Sequence, residues 1–264
     1  SGVSTAPAIP GAPRVELLDL PVARGAPTTL QHVAAYADPW PGALAAWRRS
    51  GGTAFALERT IPARAMIGAL VDPLGAGPLW RWDRGASVRV LMRGGTVASI
   101  DDDEALAGEN AFAIRKPGGS WEILVAGEAE LVDARTWRLS KLLRGRGGSE
   151  NAAAVAAPVG ATIVRLDPAV APLVDSLDRI GQSDTWRIGP SRLDHADARF
   201  VEVSSSATAI ALRPFSPVHA KARRTVDGVV FSWIRRTRID GDAWDVAEVP
   251  LGEDMERYEL DILS

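Results

Sequence analysis

Asp194, His195 and Asp197 have the spacing in this chain that best suits chemistry, because an imidazole between two carboxylates can serve as a base with an orienting acid. A hydrolase of that kind also needs a nucleophile on a sharp turn. No serine here stands in such a context, so the cluster reads as a polar loop. Only three histidines occur. His32, His195 and His219 are never four positions apart, and a zinc site would need ligands scattered along the chain. The run Asp101-Asp102-Asp103-Glu104 offers carboxylates for calcium. It lacks the alternating oxygen donors and central glycine of a calcium loop, and reads as a solvated acidic turn. Cysteine is absent, which removes disulfides, thiolate ligands and cysteine nucleophiles together. Among 33 acidic residues no pair is singled out for glycoside cleavage. No residue is assigned a catalytic, cofactor-binding or metal-ligating role.

The most distinctive stretch is Thr136–Glu150, TWRLSKLLRGRGGSE. Trp137 and Leu139 fit strand alternation, whereas Leu139, Leu142 and Leu143 fit a helical face, so periodicity leaves both open. Arg144, Gly145, Gly147 and Gly148 form a basic turn in which the backbone can take positive φ. A phosphate-binding loop would need a lysine before Ser149 and glycines ahead of a helix, and this stretch has no such lysine. A nucleic-acid surface needs a basic surplus, and the formal net charge is −3.

Two further sets invite a binding role. Most tryptophans stand beside turns, namely Trp40, Trp80, Trp82, Trp121, Trp186 and Trp244. A surface row of such rings would make a glycan platform, with Trp40, Trp80, Trp82 and Trp244 as its candidates. The structural reading is that each ring seals a small core at a strand end, its N–H bound to a carbonyl. Arg235, Arg236, Arg238, Asp240 and Asp242 could pair with a neighbouring subunit or domain through bidentate contacts. Otherwise they form an exposed turn of locally balanced charge.

The order Thr-Trp-x-Leu-Ser-x-Leu-Leu-Arg-Gly-x-x-Gly-Ser-Glu over 136–150 resembles the signature of the large tail-tip hub proteins of siphophage-like particles. It is closest to the hubs of alphaproteobacterial gene transfer agents and related prophages. Gly77–Asp83, Trp121–Val125, Ala211–Arg224 and Phe231–Gly252 share the resemblance, in the family's order, and together the stretches cover most of residues 14–264. The resemblance implies a non-enzymatic structural segment, without cofactors, in the tail of a virion-like particle assembled in the bacterial cytoplasm. It would help close the distal tail and connect it to a host-recognition fibre. Its partners would be other tail-tip or baseplate proteins, copies of itself in a homotrimer, and a host surface glycan. The alternative is a carbohydrate-binding module attached to a cell-wall-degrading enzyme.

The elements that must position these residues are mostly short strands. The chain has 264 residues, 46% apolar and 24% charged, enough for one large core or two smaller ones. No apolar run is long enough to span a bilayer. Residues 1–13, with Pro7, Pro10 and Pro13, have linker composition. Ser1-Gly2, with no methionine before Met66, has the look of a fragment's start. Strands are expected at Val15–Leu20, Val33–Tyr36, Leu44–Trp47, Thr53–Arg59, Ser87–Met92, Ala111–Arg115, Trp121–Val125, Glu130–Val132 and Ala161–Leu166. Turn signals stand between them, a spacing that predicts a mainly β barrel or sandwich. One helix is expected over Pro168–Ile180, with Asp167 as cap and Leu173, Leu177 and Ile180 as its apolar face. A hub-associated β region thus spans 14–212. Beyond the Pro214–Pro217 hinge, strands at 218–223, 229–233 and 258–262 resemble the front of a fibronectin type III module over 213–264. Trp233 and Tyr258 lie on its inner face.

Overall fold

The computed structural model describes residues 10–22, 29–238, 250–252 and 255–261. Most of the 1–13 linker, together with Asp240, Asp242 and Trp244, therefore lies outside the described residues. The chain forms two compact units, Ser1–Leu212 and Arg213–Ser264, and it is mainly β.

In the first unit the strands are β1 (Arg14–Leu18), β2 (Gln31–Tyr36), β3 (Leu44–Arg49), β4 (Ala56–Ile61), β5 (Ile67–Leu70) and β6 (Asp83–Arg93). A short helix α1 (Asp102–Leu106) precedes β7 (Ala111–Arg115), β8 (Trp121–Asp133) and β9 (Thr136–Arg146). Helix α2 (Glu150–Ala153) is followed by β10 (Thr162–Arg165), β11 (Ala171–Val174), β12 (Ser183–Pro190) and β13 (Val201–Ser206). Six strands close into an antiparallel barrel in the order β10-β5-β6-β9-β8-β7. Beside it lie a sheet β1-β2-β11 and a sheet β13-β12-β3-β4.

The barrel interior is filled by one residue in two from each strand, as the pleat requires. Val88, Val90 and Met92, Phe112 and Ile114, Leu124 and Ala126, Leu139 and Leu142, and Ile163 form this core. The outward residues Ile67, Ala113, Ile123, Val125, Leu143 and Val164 make a second core with Leu18, Leu20, Ala34 and Ala105. On the far side of β2, Val33 and Ala35 join Leu44, Ala46, Trp186, Ile188, Leu173 and Val174 in a third. Buried on both faces, β2 has the unbroken run His-Val-Ala-Ala rather than an alternating one.

Strand β9 explains why its own sequence fits two periods. Lys141 takes a left-handed φ of 52°. It lies where β9 bends opposite Gly127 of β8, between the pairs Ala126–Leu142 and Glu128–Ser140. The alternation skips one position there, so Leu139 and Leu142 both face inward. A spacing of three, which in a helix marks one face, here marks a kinked strand.

Two expected elements are corrected. Pro168–Ile180 is not a helix: Ala171–Val174 is a strand paired with β2, and Leu177–Arg179 is a single 3₁₀ turn. Pro172 lies inside the supposed helix, where it would remove a donor and clash with the preceding turn. As an edge strand β11 tolerates it. Leu177 and Ile180 are exposed, so the supposed apolar face does not exist.

In the second unit β14 (Val218–Thr225) and β15 (Gly228–Ile234) form a hairpin. The third expected strand is absent from the described part of its range, since Tyr258–Asp261 join no ladder. Tyr258 reaches Trp233 edge-on, with ring centroids 4.8 Å apart. Without a ladder, nothing sorts Tyr258 and Leu260 from Glu259 and Asp261, and all four are exposed.

Candidate functional site

One end of the barrel holds four ionisable side chains out of solvent. Glu122 follows the inward phase of Leu124 and Ala126 on β8, and Arg144 follows that of Leu142 on β9. Both Arg144 and Glu122 have side chains with no exposure. Arg144 Nε donates to Glu122 Oε1 at 2.5 Å and Nη2 to Oε2 at 2.9 Å, a two-pronged pairing. Lys116, just beyond β7, places Nζ 2.7 Å from Glu122 Oε2. Asp83, at the start of β6, lies 3.7 Å from Arg144 Nη1.

The two cations also reach out of the barrel mouth. Arg144 Nη2 donates to Gly75 O at 3.0 Å, and Lys116 Nζ to Val155 O at 2.8 Å. Gly77 lies so close over the Arg144 guanidinium that a methyl group at its Cα would come within 2.3 Å of Nη1. Burial pushes the Lys116 ammonium below the usual lysine range, and Glu122 only partly opposes that shift. With two positive and two negative groups, the cluster is formally neutral. Such an arrangement fixes which backbone passes over the mouth, while Arg144 Nη1, 3.7 Å from Asp83, makes no hydrogen bond among the described residues.

The rest of 136–150 serves the same closure. Trp137 seals the opposite end, its Nε1 donating to Val97 O at 3.2 Å. Gly145 and Gly147 have φ of 62° and 64°, and Gly148 of 95°. At Gly145 a Cβ would meet Leu79 at 2.6 Å, and at Gly147 it would meet Val22 at 2.4 Å. Ser149 Oγ accepts from Ile123 N at 2.9 Å and donates to Arg146 O at 2.8 Å, linking the turn to β8. Lys141 turns outward over the Trp82 ring, at 5.1 Å, and pairs with Asp102.

The other candidates fall elsewhere. Asp101 and Glu104 form a capping box at α1, each accepting from the other's backbone N–H. Among the described residues no three His, Asp or Glu side chains gather as a metal would require. Asp197 is held by Arg199 at 2.8 Å, and that hydrogen bond lowers its pKa to about 2. His195 stacks on Trp47, with centroids 4.8 Å apart, and its Nδ1 lies 3.6 Å from Asp194 Oδ1, so of the two flanking carboxylates only Asp197 is engaged elsewhere.

Trp80 is 64% exposed, while Trp82 leans on the second core and Trp40 on the third. Trp186 is fully buried within β12, away from any turn. In the second unit Arg236 and Arg238 lie over the Phe215 ring at 4.8 and 3.9 Å. Arg236 Nε donates to Ser216 O at 2.8 Å, and Arg238 Nη2 to Arg213 O at 2.7 Å. Arg235 lies 3.8 Å from Glu256, and both line a cavity of about 70 Å³.

Sequence reasoning singled out Arg144 as a turn residue and missed its partners Glu122, Lys116 and Asp83. A signal was present. Glu122 is a lone acid in the apolar run WEILV, and Arg144 directly follows Leu142-Leu143. Charged residues are almost never fully buried unless paired, so one acid and one base at the ends of apolar strands point to each other as partners.

Residues 65–164 match a family described as Rcc01698-like, C-terminal, and the matched stretch runs almost from the start of β5 to the end of β10. The similarity thus covers the closed barrel and less than half of the chain. No curated protein matches the chain. Among the described residues no helix is long and apolar enough to cross a membrane.

Proposed function

We propose that this chain is a non-catalytic structural segment of a phage-like tail-tip hub, one that helps close the distal tail and connects it to a host-recognition fibre. The observation that carries this reading is how the signature stretch is used. Trp137, Leu139, Leu142, Arg144, Gly145, Gly147 and Ser149 all close or seal the barrel. Residues retained for chemistry would be expected to point into a cleft with uncommitted polar atoms. Here Trp137, Leu139 and Leu142 pack into the barrel core and Arg144 is buried against Glu122. Support also comes from the two-pronged buried ion pair, which resists separation of the strands it joins.

On this reading the chain works with other tail-tip or baseplate proteins and with copies of itself, in the tail of a virion-like particle. Immunogold labelling of purified particles with an antibody to this chain tests it. Gold confined to the tail tip is the expected result. Label on the head or along the tail shaft, or none on intact and opened particles alike, overturns it.

A further inference from the structure

The second unit divides its charge along the chain. Residues 213–238 carry seven arginine or lysine side chains and one acid, whereas residues 239–264 carry nine acids and one arginine. On β14, Lys221 stands opposite Ser232 and Arg223 opposite Val230, so these two cations share one face of the hairpin. Ala222 and Arg224, opposite Phe231 and Val229, take the other face. Among the described residues β14 pairs with β15 alone, which leaves the main-chain groups of its outer edge without ladder partners. Glu259 and Asp261 have the same two-residue spacing as Lys221 and Arg223, interleaved with Tyr258 and Leu260, in an exposed segment that joins no ladder. Tyr258 at Trp233 and Glu256 near Arg235 hold the start of that segment at the C-terminal end of β15. Lys221, Arg223 and Arg224 reach no acid, and Glu259 and Asp261 reach no cation, among the described residues. Complementary sets thus stand in one unit and remain unmatched within one copy.

We propose that the acidic segment 258–261 adds, reciprocally, as a third antiparallel strand to the β14 edge of a second copy of this chain. The register sets Glu259 opposite Arg223, Asp261 opposite Lys221, Leu260 opposite Ala222 and Tyr258 opposite Arg224. Like charges directly opposite one another destabilise a strand pair, so a basic edge refuses the same edge of another copy and admits an acidic strand. The added strand supplies main-chain partners to the bare edge. It also brings Leu260 to the face that carries Val229 and Phe231, both exposed on the hairpin. A two-stranded hairpin is marginal in water, and a third strand with an apolar face relieves that. Reciprocal exchange of one segment closes a dimer and leaves no open end. The inference does not depend on the tail-tip reading.

Sedimentation of the full chain over a dilution series tests it. The expected result is a mass that doubles as concentration rises, with the doubling moved to higher concentration by added salt. One variant carries Lys221→Glu with Arg223→Glu, and a second carries Glu259→Lys with Asp261→Lys. Each alone should remain monomeric, because its edge and its segment then have like charge. Mixed in equal amounts the two should form a heterodimer, since the acidic edge of the first receives the basic segment of the second, and the reverse. A native chain that stays monomeric throughout overturns the proposal, as does a dimer in either variant alone or a mixture that stays monomeric. Hydrogen exchange on the native chain gives a reading that needs no variant. Protection of 258–261 should appear only as the mass doubles, and slow exchange there in dilute monomer assigns the segment to its own hairpin and overturns exchange between copies.

Discussion

Arg144 and Glu122 face each other inside the barrel end with both carboxylate oxygens engaged and neither side chain exposed. Removing one member of such a pair leaves the other charge buried with too few partners, and that loss typically costs about 3–5 kcal/mol. Arg144→Met should therefore lower the urea midpoint of the first unit sharply. Arg144→Lys keeps the charge but not the planar fork, and should cost less. An unchanged midpoint for Arg144→Met would mean that water reaches Glu122 and that the barrel end is open.

Gly147 is restricted twice, by its φ of 64° and by Val22, 2.4 Å from where a Cβ would be. Gly147→Val should destabilise by about 1–3 kcal/mol through backbone strain alone, with the clash adding to it. Val22→Ala in the same chain should recover the clash component and not the strain. Thermal melts of the single and double variants measure the two parts. Full recovery in the double variant would show that the left-handed conformation costs valine nothing here.

The barrel strands were legible where alternation was regular. Ala111–Arg115 was placed to the residue, because Phe112 and Ile114 face one core and Ala111 and Ala113 the other. Strand β9 was not legible, since one left-handed residue shifts its phase and produces a helical spacing from a kinked ladder. The supposed helix at 168–180 failed for the opposite reason. Leu173, Leu177 and Ile180 have helical spacing, but Pro172 between them and the cap forbids a helix interior. Short strands such as Ile67–Leu70, buried on both faces, carry no alternation to read. The ion cluster was half legible. Its arginine lay in the distinctive stretch, but its partners come from β6, β8 and the turn after β7, and only barrel closure brings them together.

Asp197 should show in the acid limb of stability. Its hydrogen bond from Arg199 lowers the pKa from 3.8 to about 2. A carboxylate whose pKa is depressed in the folded state binds protons more readily when unfolded. Its contribution is therefore complete above pH 3.8 and is lost as pH falls towards 2. The melting-temperature gap between the native chain and Asp197→Asn should be constant near neutrality and close over that acid window. A gap that persists undiminished to pH 2 would trace the effect to the loop's backbone rather than to the charge. Asp72, lowered in the same direction by its hydrogen bond from Arg89, predicts a similar closing for Asp72→Asn.

Phe215 organises the arginines of the second unit. Arg238 lies 3.9 Å and Arg236 4.8 Å from its ring centroid, and both guanidinium groups bind carbonyls of the 213–216 segment. Pro214 and Pro217 restrict that segment, so the ring is presented with little freedom left to lose. An exposed cation over an aromatic face contributes about 0.5–1 kcal/mol. Phe215→Ala should therefore release the segment following β15 without unfolding the barrel. Hydrogen exchange on the full chain reads this directly: faster exchange in peptides covering 213–217 and 235–238, and none in peptides covering 136–150. Phe215→Trp, which keeps the π face, should restore protection, whereas Phe215→Leu, which keeps only apolar bulk, should not. Equal protection in the leucine and tryptophan variants would assign the contact to packing and remove the cation from the account.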